Sequence, residues 1–281
     1  MIINDNSEIL LTTSWGNFTH GISGHLFEII DYYLILKNHF DVKILIPENM
    51  MFFEDIIRDK YNLDNIEIKE IIDNTIFEEK PTLVKSNNIF FVDGAWDNIE
   101  KLNIIAKNII CFACGTLSIL DHNKDNTHIL LDYRVYPKIP KNAVNYKKKL
   151  LLGRYRKISN TGEKTLIYAT GNCRKLEQYP NIPNLLVIED KSKPVLNLFD
   201  KISAYYYTPT PRHSDCSSRL LVECKYYKKK VILDNEVQKY LDDGDDRGLF
   251  YRLQDIENNF ESLFLTYDDE IINIIKDIIW K

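Results

Sequence analysis

The chain has 281 residues, 44% of them hydrophobic and 27% charged, which suits one large folded domain or two of about 140 residues each. Its formal net charge of −5 argues against a general nucleic-acid coat and leaves room only for a local basic patch. No apolar stretch approaches the roughly 20 residues that span a bilayer, no charged-plus-apolar leader is visible, and the five cysteines form no regular framework. The expectation is a protein of a reducing cytoplasm without a membrane span.

In chain order, Ile9–Thr13 reads as a short buried strand, followed by a glycine-containing loop from Ser14 to Gly24 that carries His20. His25 to Lys37 then has apolar residues at helical spacing (Leu26, Ile29, Ile30, Tyr33), and Val42–Pro47 is a second strand ended by proline. Together they predict a βαβ unit with a parallel sheet and a right-handed crossover. The loop after the first strand is where such sheets place ligands, although it holds no GxGxxG. Met50 to Tyr61 predicts a helix and Ile66–Ile71 a short strand. Asn88–Asp93 is a buried strand running into Asp93-Gly94-Ala95-Trp96, which sets an acid and a tryptophan at the same sheet edge. Ile109–Gly115 repeats the strand-then-glycine pattern. Its Cys111 and Cys114 form a C-x-x-C, a spacing shared with thiol redox motifs. Cys111 falls inside an apolar strand, however, and no second pair or His pair completes a zinc site, so buried structural thiols are expected.

Residues 138–163 change in character: Lys141, Lys147, Lys148, Lys149, Arg154, Arg156 and Lys157 cluster with Tyr146 and Tyr155. The segment 141–163 reads as a basic connection between residues 1–140 and 164–281. It is either solvated or, over 141–157, a contact for an anionic partner. A second βα series follows. It comprises strand Thr165–Thr170 with the loop Gly171-Asn172-Cys173-Arg174, strand Leu185–Asp190, helix Val195–Ile202 and strand Ala204–Thr208. Ser217 and Ser218 then stand where a helix would begin, suited to hold an anion with hydroxyls and free backbone N–H groups. Arg219 and Glu223, four apart, share one face of that helix, either as an ordinary surface ion pair or as ligand contacts. Val231-Ile232-Leu233 is the next strand, and Asp268 to Trp280 has an apolar stripe of Ile271, Ile274, Ile275 and Ile278.

Glu223, seven residues, then Val231-Ile232-Leu233 resembles the donor-site helix and strand of GT-B-type nucleotide-sugar glycosyltransferases. Arg219 and Ser217-Ser218 look like the variant with an arginine near that glutamate, and Gly24-His25 opening a helix resembles the family's first βαβ unit. Many members carry a glycine where Lys228 stands and a Glu-x-Phe-Gly run where this chain has Asp215-Cys216-Ser217-Ser218. The resemblance implies an α/β fold of two Rossmann-like domains facing across a cleft, an acceptor-side domain (1–140) and a donor domain (164–281). On that likeness Glu223 would accept hydrogen bonds from the donor's ribose hydroxyls from an exposed position in the cleft. Ser217, Ser218 and Arg219 would hold the diphosphate. Arg174, with Gly171 and Asn172, would neutralise the departing phosphate, and Asp190 and Lys191 would lie near the nucleobase. His25 or Asp93 would deprotonate the acceptor, with His20, Gly24 and Trp96 on the acceptor side. No cofactor or metal is required beyond a nucleotide sugar, a UDP-sugar first.

Phage enzymes that glycosylate modified bases in DNA share this architecture and size, so DNA held by segment 141–157 is one acceptor class. A glycan or small molecule is the other. A non-catalytic nucleotide- or sugar-phosphate-binding protein and a two-domain epimerase are the competing readings.

Overall fold

The computed structural model describes residues 7–13, 24–46, 52–78, 83–92, 103–113, 125–136, 138–159, 161–168, 181–189, 195–208, 218–244 and 247–280. It is an α/β structure built on parallel sheets. The first half contributes β1 (Glu8–Thr12), α1 (Gly24–Leu36), β2 (Asp41–Ile46), α2 (Phe53–Lys60), α3 (Asn65–Asp73), β3 (Thr75–Phe77), β4 (Val84–Lys85), β5 (Asn88–Phe91), β6 (Ile104–Ile105), β7 (Asn108–Phe112), β8 (Thr127–Leu131) and β9 (Ala143–Asn145). Seven of these form one sheet in the order β3-β2-β1-β5-β7-β8-β9, while β4 and β6 pair separately. Every pairing in the large sheet is parallel. The second half supplies β10 (Lys164–Tyr168), β11 (Leu185–Ile188), α4 (Leu198–Lys201), β12 (Ile202–Tyr207), α5 (Arg219–Tyr226) and β13 (Lys230–Leu233). Their parallel sheet runs β11-β10-β12-β13.

The central strands of the first sheet are buried on both faces, which is why β1, β5 and β7 read as unbroken apolar runs. Ile9, Leu11, Ile44, Phe90, Ile110 and Leu130 face one apolar cluster, and Leu10, Leu45, Ile89, Phe91 and Ile109 face the other. The first of these clusters continues into the second half through Leu166, Ile188, Tyr205 and Leu221. The chain closes with α6 (Asn235–Asp242), α7 (Arg247–Asn258) and α8 (Glu270–Ile279). Helix α8 returns to the first half: Lys107 Nζ lies 3.5 Å from the Ile279 carbonyl and the Phe40 and Trp280 rings are 6.2 Å apart. Gly162 is required where it stands, because a Cβ there would overlap the backbone of Asp200–Ile202.

Three expectations are corrected. Ile66–Ile71 is not a strand but part of α3. Asp64 accepts from the backbone N–H groups of Ile66 and Glu67 while the Glu67 carboxylate accepts from the Asp64 N–H, a complete capping box. The Ile66/Ile68 alternation misleads, because Ile66 is exposed and the buried pair is Ile68 with Ile71, one helical turn apart. The expected helix Val195–Ile202 shrinks to α4, since Ile202 already opens β12. The boundary expected at 140 also moves, because β9 pairs with β8 and the first sheet runs on to Asn145. Replacing Asp64 by alanine is expected to cost about 1 kcal/mol of stability in urea denaturation, the usual worth of a lost N-cap.

Candidate functional site

Helix α1 is buried almost all round, from Leu26 to Leu36, and this includes two carboxylates, Glu28 and Asp31. Charges in such a helix must find partners, because an unpaired buried ion is prohibitively costly. Asp31 finds Arg219, 188 residues away: Arg219 Nη1 donates to Asp31 Oδ2 at 2.8 Å and its Nε to Glu223 Oε1 at 2.6 Å. Glu223 Oε2 in turn accepts from Lys60 Nζ at 2.7 Å. Tyr61 donates toward Asp31 Oδ1 at 2.9 Å, and the Tyr155 hydroxyl bridges Asp31 Oδ2 and Arg219 Nη2. Asp31 is 0% exposed, Glu223 4%, Arg219 6% and Lys60 8%. The Lys60 ammonium also lies over the rings of Tyr155 and Phe199, and the Arg219 guanidinium over those of Phe27 and Tyr155. Burial pushes the Asp31 carboxyl above its ordinary range against the pull of Arg219, and pushes the Lys60 amine below its own against Glu223. Two positive and two negative charges balance, and together they join α1 and α2 of the first half to α5 of the second.

This cluster sets the start of α1 against the start of α5. A Cβ on Gly24 would stand 3.8 Å from Arg219 Cδ. One residue on, His25 Nδ1 lies 3.0 Å from Glu28 Oε2, one turn down the same helix. That oxygen also accepts from Lys148 Nζ at 2.6 Å. Burial alone would raise the Glu28 carboxyl, but Lys148 and His25 pull it down to about 2. Lys148 is itself buried, over the Phe112 ring, and its chain lines a small cavity at the carboxyl ends of β7 and β8. Phe112, Leu131, Asp132, Tyr251 and Arg252 share that lining, and its volume of about 30 Å³ admits water-sized occupants.

Of the residues singled out in the sequence, the structure brings Gly24, His25, Ser218, Arg219 and Glu223 to one junction. Ser218 caps α5 and is buried, and its hydroxyl bonds none of the helix's first N–H groups. His20, Asp93, Trp96, Gly171, Asn172, Arg174, Asp190, Lys191 and Ser217 lie outside the described residues, as does Cys114. Cys111 is buried in β7, as expected of a structural thiol. Among the described residues no group of three or more His, Cys, Asp or Glu is placed to hold a metal ion, and no helix is long and apolar enough to cross a membrane.

Two expectations about these residues are corrected. Glu223 does not face an open cleft: it is buried, and its two oxygens accept from Arg219 and Lys60 within the protein. Arg219 is likewise committed to Asp31, Glu223 and Tyr155 rather than turned toward a diphosphate. The basic segment is not an open face either. Lys147 pairs with Asp255, Lys148 with Glu28, Lys149 with Asp269, Arg154 with Glu67 and Arg156 with Asp200. These cations tie the segment after β9 to α1, α3, α4, α7 and the start of α8 instead of presenting charge to a phosphate backbone. Glu28, Asp31 and Lys60 escaped the sequence reading, and Lys148 was read only as one cation of the basic segment. The available signal was two acids inside a helix otherwise apolar on every side.

The chain matches no protein-family model, no curated protein and no solved structure.

Two outcomes follow for stability. Glu223→Gln or Arg219→Ala strands a buried charge and is expected to cost about 3–5 kcal/mol in chemical denaturation. Glu28 has a folded-state pKa below its unfolded one, so its contribution is complete above pH 4.5 and is lost as pH falls toward about 2. Glu28→Gln should therefore flatten the loss of stability across that acid window, measured as unfolding free energy against pH.

Proposed function

We propose that the protein is a glycosyltransferase that moves a sugar from a nucleotide-sugar donor, a UDP-sugar first, to a hydroxyl acceptor at the junction of its two sheets. The observation that carries this reading is the His25–Glu28 pair at the start of α1. A histidine that donates through Nδ1 to a carboxylate presents Nε2 as a proton acceptor. It stands where the loop after β1 leads into the helix and where the opposing helix α5 begins. Parallel sheets of this kind bind ligands at the carboxyl ends of their strands, where the strand order reverses. In the first sheet the order reverses between β1 and β5, and in the second between β10 and β12.

In this reading His25 takes the proton of the acceptor hydroxyl as its oxygen bonds to the anomeric carbon, and the bond from that carbon to the nucleoside diphosphate breaks. The start of α5, with Ser218 as its cap, is the described element suited to the diphosphate. Glu223 and Arg219 leave the donor set and become the support behind it. Two further features favour the GT-B likeness. Lys228, where many members carry glycine, adopts the left-handed conformation with φ 55° that glycine favours. The helical tail, which is similar to the way the family's donor domain ends, returns as α8 to the first half. The internal pairing of the basic segment favours a glycan or small-molecule acceptor over a DNA backbone.

A panel of UDP- and GDP-sugars, read by thermal shift and by donor hydrolysis, tests the activity. At least one donor should stabilise the protein and be turned over. His25→Ala should lower kcat by about 10²–10⁴-fold while donor Kd stays within about threefold. Failure of every donor to bind or react would remove the reading. The engagement of Arg219 and Glu223 within the protein favours one alternative, a binding protein for nucleotides or sugar phosphates. Its signature is stabilisation by a donor without turnover.

A further inference from the structure

The site above contains a charge that a simple histidine–carboxylate pair would not need. Both His25 Nδ1 and Lys148 Nζ bond the same oxygen of Glu28, at 3.0 and 2.6 Å. Glu28 and Lys148 are both buried, whereas the His25 side chain is 21% exposed. A buried carboxylate on its own would stabilise the imidazolium strongly, holding the ring protonated and useless as a base near neutral pH. An ammonium on the same oxygen offsets that field without removing the hydrogen bond that orients the ring. Resting on the transferase reading, we propose that Lys148 is a positioning residue: it neutralises Glu28 so that Glu28 fixes the His25 tautomer, with Nδ1 protonated, while leaving the ring neutral.

The consequence for the reaction is a single proton movement. The acceptor's O–H proton passes to Nε2, the imidazolium so formed is stabilised by Glu28, and neither Glu28 nor Lys148 changes its protonation. Among the described residues, the other charged and titratable groups near this trio are Arg219 from α5, whose charge acts on Glu28, Tyr32 and Asp31 one turn along α1, and Asp132, Arg252 and Asp255, which line the cavity beside Lys148. Arg219 is held by Asp31 and Glu223, so Lys148 is the cation in direct contact with Glu28. It reaches that place from the segment after β9, because the neighbouring Tyr146 is buried with its hydroxyl on Asp269 and Lys147 is drawn to Asp255. Arg252 Nη1 donates to the Lys148 carbonyl at 3.0 Å and fixes its backbone.

The test is NMR of the full-length protein labelled with ¹⁵N-histidine, with His25 assigned by its loss in His25→Gln. In the unsubstituted protein the neutral His25 ring should show the Nδ1-protonated tautomer. Lys148→Met should raise the His25 titration midpoint by about one pH unit, and Lys148→Arg, which keeps the charge, should leave it nearly unchanged. Glu28→Gln should lower the midpoint by a similar amount, since the Lys148 ammonium then acts on the ring without the carboxylate between them. If Lys148→Met does not fold, the Glu28→Gln midpoint and the tautomer decide the matter. An Nε2-protonated ring, a midpoint unmoved or lowered in Lys148→Met, or one raised in Glu28→Gln overturns the proposal. None of these readouts uses a substrate, so they succeed or fail independently of whether any donor is turned over.

Discussion

Four buried charges hold the two halves of this protein in one arrangement. Asp31, Arg219, Glu223 and Lys60 are nearly inaccessible, balanced in sign and linked by direct hydrogen bonds. Such a cluster contributes little to stability compared with an apolar packing of the same shape, because each charge gives up its hydration. Its geometry is demanding, however: the carboxylates and cations come from α1, α2 and α5, so the cluster closes in one register of the two sheets. That register lays the start of α1 over Arg219 and places His25 beside the start of α5. The apolar cluster running through both halves supplies adhesion, and the charges supply the alignment.

The same logic explains the basic segment. Five of its cations face carboxylates on α1, α3, α4, α7 and the start of α8, so much of a stretch that is strongly positive in sequence is neutralised within the fold. Residues 146–157 thread between the first sheet and the carboxyl-terminal helices, and their charges act as internal fasteners. Lys148 differs from its neighbours because its carboxylate partner also holds a histidine. There the fastening and the proposed chemistry share one oxygen atom, Glu28 Oε2.

Most of the strands were legible because parallel strands in a covered sheet are short apolar runs, and β1, β2, β5, β7, β10 and β12 have that form, as does β13, which is only partly buried. Helix α3 was misread because the alternation at Ile66 and Ile68 resembles a strand, although the capping residues Asp64 and Glu67 were there to be seen. Strands β3, β4, β6, β8 and β9 went unnoticed, β9 because its three residues are only partly buried and sit among lysines. Glu223 and Arg219 were correctly read as sharing a helix face, but their environment was not. Spacing along a helix says which side chains are neighbours, and nothing in it reveals that Asp31 and Lys60 arrive from far away in the chain to bury them. Glu28 and Lys148 were hidden for the same reason, since one looks like a surface acid and the other like one lysine in a run.

The proposed function requires a donor to bind where the starts of α1 and α5 meet. The most direct measurement is a titration of the ¹⁵N-labelled protein with a nucleotide sugar, following the backbone amide signals of Gly24, His25 and Ser218 against those of α3. The account predicts saturable shifts at the three junction residues with α3 unmoved. Saturable binding that leaves all three signals in place would contradict it.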